Sequence, residues 1–228
     1  MIQGMITIDG PAASGKSTVA KRIAKALRCS FLDTGAMYRA VTWACMAAHI
    51  DLQNSDAVME VMDSHRFEFD QTHVSINGQD VSQAIRDPKV TDHVKFIAGA
   101  PAIRSRLVTL QREFARTHAV FVTEGRDQGT VVFPHAQVKI FLFADPGERA
   151  KRRLAELETK GVAQDLAQLT QAVIARDRSD EQRETGPLKA AHDAIKVDTT
   201  GLTLDEVVQG VLDHVREICP ALMPSESS

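Results

Sequence analysis

The sequence predicts an α/β domain in which buried parallel strands alternate with helices, and three observations predict it. Short apolar, β-branched runs recur at 5–9, 30–33, 119–123, 138–143 and 195–198, as expected of strands buried on both faces. Stretches with helical apolar spacing lie between them, and the repeated order of strand and helix implies parallel crossovers. The composition is that of an ordinary globular chain: 43% hydrophobic and 25% charged over 228 residues, enough to bury a full core without staples.

Each element has its own justification. The first strand, Met5-Ile6-Thr7-Ile8-Asp9, runs into a glycine-bounded turn. A helix over 17–27 follows, with Val19, Ala20, Ile23, Ala24 and Leu27 on one face. Residues 30–33 read as the second strand and 38–48 as a largely apolar helix. The stretch 65–82 changes character. Arg66-Phe67-Glu68-Phe69 and His73-Val74-Ser75-Ile76 alternate, and the latter runs into Asn77-Gly78, the strongest two-residue hairpin signal. A small antiparallel insert is the expectation there. Helical pattern returns over 90–118, broken at Pro101, and strands follow at 119–123 and 138–143. Residues 149–183 are helical and highly charged, with a break at Gly161. A final strand at 195–198 leads to an amphipathic helix over 203–218, which Thr203 can cap with Glu206 three residues on. The reading is a single domain over 1–220, followed by a frayed, flexible tail at 221–228.

Charge and cysteine usage exclude several classes. A net charge of −3 is wrong for a protein that lives on the nucleic-acid backbone. The three cysteines, Cys29, Cys45 and Cys219, form neither a disulfide framework nor a zinc spacing, and free thiols point to a reducing compartment. The eight histidines are scattered without metal-ligand spacing. Residues 1–10 lack the basic opening of a signal peptide, and no apolar run approaches the ~20 residues that span a bilayer. The expectation is a cytoplasmic protein without nucleic-acid or membrane partners; with no long exposed apolar heptad, the default state is a monomer.

Gly10-Pro11-Ala12-Ala13-Ser14-Gly15-Lys16-Ser17 fits the GxxxxGK[ST] spacing, and Thr18 follows it into the helix. The glycines permit backbone conformations and a close approach that a Cβ would block. The turned backbone points several N–H groups at one anion, reinforced by the positive end of the helix. Lys16 is then placed to meet the β- and γ-phosphates of ATP, and the Ser17 hydroxyl to ligate Mg²⁺. The strand before the motif and the helix after it separate this pattern from a chance glycine-rich turn.

A phosphate loop alone fits GTPases, motor ATPases and small-metabolite kinases. No NKxD-like guanine reader is visible. After the strand at 119–123 a Walker-B pattern would want an Asp, whereas the chain gives Glu124-Gly125-Arg126-Asp127, an arginine beside a carboxylate suited to a second anion. In Asp33-Thr34-Gly35-Ala36-Met37-Tyr38-Arg39 the Thr34 hydroxyl and Arg39 guanidinium can hold a phosphate. Arg176, Asp180 and Arg183 recur at i, i+4 and i+7, placing two guanidiniums around a carboxylate on one helical face. Such a cation-rich set suits a phosphate acceptor. A phosphate monoester, with a second pKa near ~6, is already largely dianionic and needs no general base. It needs cations to offset the repulsion of two polyanions.

These residues resemble bacterial cytidylate kinases over about 6–215. The matching stretches are Ile8-Asp9-Gly10-Pro11 leading into Gly15-Lys16-Ser17, the run from Leu32 to Arg39, and Arg176-Asp177 through Asp180 and Arg183 to Pro187-Leu188. Most specific is Gly125-Arg126-Asp127-Gln128-Gly129-Thr130-Val131-Val132-Phe133-Pro134. The resemblance implies a nucleoside monophosphate kinase fold with a parallel five-stranded core flanked by helices. It also implies an antiparallel acceptor-binding insert at about 53–102 and a helical lid at about 149–187. It implies transfer from ATP-Mg²⁺ to CMP or dCMP, with Thr34, Arg39 and Arg126 as acceptor-phosphate binders and Arg104 directed at the pyrimidine. Asp127 sits beside the same pocket, Arg176 and Asp180 are the sugar-side pair, and Arg183 is a lid arginine reaching base and phosphates. Lys16, Arg126, Arg176 and Arg183 are the implied catalytic cations. One position departs from the family: a small hydroxyl residue sits nine positions before the arginine matched by Arg104, and here Lys95 occupies it. A serine donates and accepts, whereas an ammonium only donates. The nearest rival is a shikimate- or dephospho-coenzyme-A-type kinase, which has no use for the GRDxGTVVFP run or the hairpin insert.

Overall fold

The computed structural model describes residues 4–70, 73–159 and 161–224. In chain order the elements are β1 (Gly4–Asp9), α1 (Lys16–Ala26), β2 (Ser30–Asp33), α2 (Thr34–Ala47) and α3 (Ser55–Ser64). Then come β3 (Phe67–Phe69), β4 (Val74–Ile76), β5 (Gln79–Asp80), α4 (Pro88–Gly99) and α5 (Pro101–Thr117). The second half holds β6 (Val120–Gly125), β7 (Val138–Phe143), α6 (Pro146–Glu158), α7 (Leu166–Glu181), β8 (Ile195–Asp198) and α8 (Leu204–Ile218). The chain divides into two compact units, Ser30–His118 and the remainder on either side of it. The sheet runs β2-β6-β1-β7-β8, the five-stranded α/β layer expected.

In the outer unit β1 is central. It pairs in parallel with β6, from Gly4 opposite Val120 to Asp9 opposite Gly125, and with β7, from Ile6 opposite Val138 to Asp9 opposite Phe141. Ile6, Ile8, Val122, Val138 and Leu142 are wholly buried, because both sheet faces are covered. The β1–α1 and β6 loops therefore leave the same carboxyl edge of the sheet, where open α/β sheets bind ligands. The charged helical stretch resolves into α6 and α7, and Gly161 between them takes φ +73, a conformation that favours glycine. These two helices bury their own small core of Ala150, Leu157, Leu169 and Val173. Thr203 and Glu206 form the expected reciprocal cap on α8. The tail expected from 221 opens with an ordered turn, Pro220–Leu222, that buries Leu222, and residues 225–228 lie outside the described residues.

The inner unit is built around α2. Its core joins Met37, Val41 and Cys45 of α2 with Val58 and Met62 of α3, Ile76 of β4, and Ile97, Ile103 and Leu107 of α4 and α5. The antiparallel insert is a three-stranded sheet, β3-β4-β5, and Asn77 and Gly78 turn it with φ +53 and +80. Two differences from the sequence reading have local causes. Helix α2 begins at Thr34 rather than 38, because the Asp33 side chain accepts from Ala36 N at 2.8 Å and caps it. Helix α3 was unforeseen; Asn54 caps it, and Val58, Val61 and Met62 bury its inner face.

Candidate active site

The phosphate loop is shaped by what a side chain could not do. Gly10 takes φ +151, and a Cβ there would fall 1.9 Å from the Leu142 carbonyl oxygen. Gly15 takes φ +88 and precedes α1 with no side-chain cap, so the first N–H groups of the helix point into the loop. Lys16 is 5% exposed, and its ammonium donates to Pro11 O at 2.7 Å and to Ser14 Oγ at 3.5 Å. Burial pulls its pKa down to about 7; the Arg126 guanidinium adds to the fall, and Glu124 and Asp9 oppose it.

Two buried carboxylates stand beside this loop. The Ser17 hydroxyl donates to Glu124 Oε1 at 2.6 Å, so the strand-end carboxylate is where a Walker-B residue belongs. The Walker-B pattern calls for Asp at this position, and Glu124 takes its place; the signal for it in the sequence is a carboxylate closing a buried strand. Asp9 accepts from the Gln128 amide at 2.9 Å and the Gly129 amide at 2.7 Å. Burial pushes its pKa up to about 7 against the pull of those two amides. Gly129 is required by this contact, since a Cβ would stand 2.9 Å from Thr7 Oγ1 and 3.4 Å from Asp9 Oδ2. The run after Arg126 thus folds onto the end of β1. Among the described residues no three His, Cys, Asp or Glu side chains form a metal cage. Ser17 and Glu124 offer only oxygen, the donor type Mg²⁺ takes, and Mg²⁺ is usually completed by phosphates and water rather than by an all-protein cage.

Three guanidiniums meet on one carboxylate in the same unit. Asp180 is fully buried, and it accepts from Arg126 Nε at 2.8 Å, Arg176 Nε at 3.2 Å and a terminal nitrogen of Arg183. Burial alone would raise the Asp180 carboxyl, but Arg126, Arg176 and Arg183 together outweigh it and hold the group below its ordinary value. The helical spacing foresaw Arg176, Asp180 and Arg183 as a set, although α7 ends at Glu181 and Arg183 lies just beyond it. Arg149 was not foreseen. It is buried, donates to Ala144 O at 3.0 Å, to Ala12 O of the phosphate loop at 3.1 Å, and to Asp177 Oδ2 of α7 at 2.6 Å. It ties loop to helix.

The remaining candidates gather in the inner unit. Thr34 is buried at the first turn of α2, and Arg39 lies one turn on, 3.5 Å from Asp33 Oδ1. Its Nε is buried and has no hydrogen-bond partner among the described residues. Arg104 is 5% exposed, stacks its guanidinium 5.7 Å from the Tyr38 ring centre, and donates to Ala98 O. Lys95 is exposed on α4, with its ammonium 5.2 Å from the Phe96 ring centre. The sequence-predicted residues therefore form two groups. One joins the phosphate loop, Arg126, Asp127, Arg176, Asp180 and Arg183; the other joins Thr34, Arg39, Lys95 and Arg104.

The chain matches the family described as cytidylate kinase over residues 6–217. It is 47% identical over 216 residues to a cytidylate kinase of Bacillus cytotoxicus, covering 93% of this chain and 96% of that one. It is 46% identical over 214 residues to a cytidylate kinase of Bacillus cereus, covering 92% and 95%. A crystal structure of an uncharacterized protein from Eubacterium ventriosum is alike in fold, with a TM-score of 0.51 at 16% identity, covering 94% of this chain and 99% of the other.

Proposed function

The chain belongs to the cytidylate kinase family, and from that premise we propose that it moves the γ-phosphoryl group of ATP onto CMP, and onto dCMP, giving ADP and the diphosphate. The observation that carries the reading is the convergence of Arg126, Arg176 and Arg183 on buried Asp180 in the unit that holds the phosphate loop. Three positive charges against one negative leave a surplus for phosphate oxygens.

ATP binds with its β- and γ-phosphates against the amides of residues 10–18 and the Lys16 ammonium. Ser17 and Glu124 would hold magnesium, which when bound neutralises charge on those phosphates. The acceptor phosphate is held by Thr34, Arg39 and Arg126. It arrives as a dianion, so no residue has to remove a proton. Arg126, Arg176 and Arg183 stabilise charge on the transferring group, and Asp180 fixes their orientation between turnovers. Residues 149–187 act as a lid over the phosphate loop and keep water from the donor, and Arg149 ties the loop to α7. Residues 53–102 form the acceptor insert. Arg104, Lys95 and Asp127 are assigned to the pyrimidine, and Arg176 with Asp180 also to the sugar.

Steady-state formation of ADP and CDP from ATP, Mg²⁺ and a panel of CMP, dCMP, UMP and AMP tests this. CMP and dCMP should turn over fastest, and Lys95→Ser should change the ratio of CMP to UMP use. ATP turnover indifferent to every monophosphate would sink the proposal.

A further inference from the structure

The inner unit contains a cation that the sequence reading left out. Arg86 closes the short turn Ala84–Arg86 just before α4. A terminal nitrogen of Arg86 stands 3.8 Å from Asp33 Oδ2, and one of Arg39 stands 3.5 Å from Oδ1 of the same carboxylate. Both distances are long for a charge-assisted hydrogen bond, which closes to about 2.7–2.9 Å. Carboxylates of low exposure elsewhere in this chain are met tightly, as in Arg126–Asp180 at 2.8 Å and Arg149–Asp177 at 2.6 Å. Pairs as loose as these, such as Arg106–Asp63 at 3.5 Å, involve more exposed acids than Asp33, whose side chain is 13% exposed. Asp33 Oδ1 is already committed to the Ala36 amide at 2.8 Å. The carboxylate therefore gathers two guanidiniums at long range, Arg39 through one weak hydrogen bond and Arg86 through none, and the buried Arg39 Nε has no partner among the described residues.

Stability does not account for this placement. The Arg86 side chain is 46% exposed, and a loose pair at that exposure contributes little. The backbone beside the pair is packed closely against it. A Cβ on Gly35 would stand 2.9 Å from Arg39 Nη1 and 3.3 Å from Asp33 Oδ1, so a larger residue would push the guanidinium aside. Two positive groups against one negative, with unspent N–H donors, suit a dianion with several oxygens. A planar fork from each side can bind it, exchanging weak contacts to Asp33 for short ones to phosphate.

We propose that Arg86 is a further ligand of the acceptor phosphate, acting with Arg39; the inference rests on reading Ser30–His118 as the acceptor-binding unit. Asp33 is then the holder of both guanidiniums as well as the cap of α2. Arg86→Met and Arg86→Lys, with calorimetric binding of CMP and of ATP beside CDP formation, form the test. Arg86→Met should weaken CMP binding by about 10- to 100-fold, the worth of one hydrogen bond to a charged group, with ATP affinity and melting temperature unchanged. Arg86→Lys should recover part of the loss, since it restores charge without the fork. CMP affinity within twofold of the unaltered protein overturns the proposal. So does an equal loss of ATP and CMP affinity with a lower melting temperature, which would give Arg86 a structural role. Unaltered protein that makes no CDP removes the proposed function and this inference with it; unaltered protein that makes CDP while Arg86→Met binds CMP normally removes only the role of Arg86.

Discussion

Replacing Asp180 by Asn removes the negative charge on which Arg126, Arg176 and Arg183 converge, while nearly preserving shape. The carboxylate is wholly buried, so its loss leaves three guanidiniums with an amide that can satisfy at most part of them. Breaking a buried ion pair from one side costs about 3–5 kcal/mol. The arginine side chains are 22%, 30% and 12% exposed and can turn partly to water, which places the cost near the lower end, at about 3 kcal/mol. For a chain of this size each kcal/mol lowers the melting temperature by roughly 2–4 °C, so Asp180→Asn should melt about 6–12 °C below the unaltered protein at pH 7.5. The sign of the pH dependence follows from the depressed carboxyl. Its contribution is fully present above the unfolded value of 3.8 and is lost as the pH falls below it. The gap between the two proteins in urea unfolding should therefore be constant from pH 7.5 to 5 and shrink below 3.8. Turnover at saturating ATP and CMP should fall by about 10²–10³, because cations that stabilise the transferring group lose their orientation. Melting temperatures that agree within 1 °C, or turnover within twofold, would refute the role given to Asp180.

Three further outcomes follow from the outer unit. With Lys16 brought down to about 7 and the triphosphate favouring its ammonium, ATP binding at pH 8 should take up close to one proton, and far less at pH 6; calorimetry in buffers of different ionisation heat measures it. Lys16→Met should lose most of that uptake, and its retention would assign the proton elsewhere. Glu124→Gln keeps an acceptor for Ser17 but removes the charge, so the Mg²⁺ concentration for half-maximal activity should rise about 10- to 100-fold, and an unchanged Mg²⁺ titration would exclude Glu124 from the metal site. Gly129→Ala sets a methyl 2.9 Å from Thr7 Oγ1 and should cost about 1–3 kcal/mol in urea unfolding by overpacking; no change would show that the turn shifts freely.

What the sequence made legible was local. The phosphate loop, the Asn77-Gly78 turn and the Thr203–Glu206 cap each depend on residues a few positions apart, and each took the expected form. The α2 boundary and α3 were also local and were still missed, although Asp33 and Asn54 both stand where helix caps belong. Those signals were weak because one polar residue before a short apolar pattern also fits a loop. Glu124 and Arg149 are a different case. The Ser17–Glu124 contact joins residues 107 apart in sequence, and Arg149 reaches Ala12 over 137. No periodicity carries that pairing, because it exists only once β1 and β6 lie side by side. The pair of Arg86 with Asp33 escaped because the two residues meet only once the unit Ser30–His118 has packed.

Asp9 and Asp180 show how environment, rather than residue type, divides the labour in this unit. Both are carboxyls with almost no exposure, and burial pushes both upward. Asp9 is met by two backbone amides, which return only part of the lost hydration, and it stays at about 7. Asp180 is met by three guanidiniums and falls below its ordinary value. The assignment matches the charge that each location has to carry. Beside a loop built to receive a triphosphate, a full negative charge at Asp9 would repel the ligand, and a carboxyl raised to about 7 carries less of that charge near neutral pH than an ordinary one. Beside α7 the need is reversed, since three crowded cations would repel one another without an anion among them. An Asp180 that protonated as readily as Asp9 would let those arginines disperse, which is why the loss of its charge is expected to be felt in turnover as well as in stability.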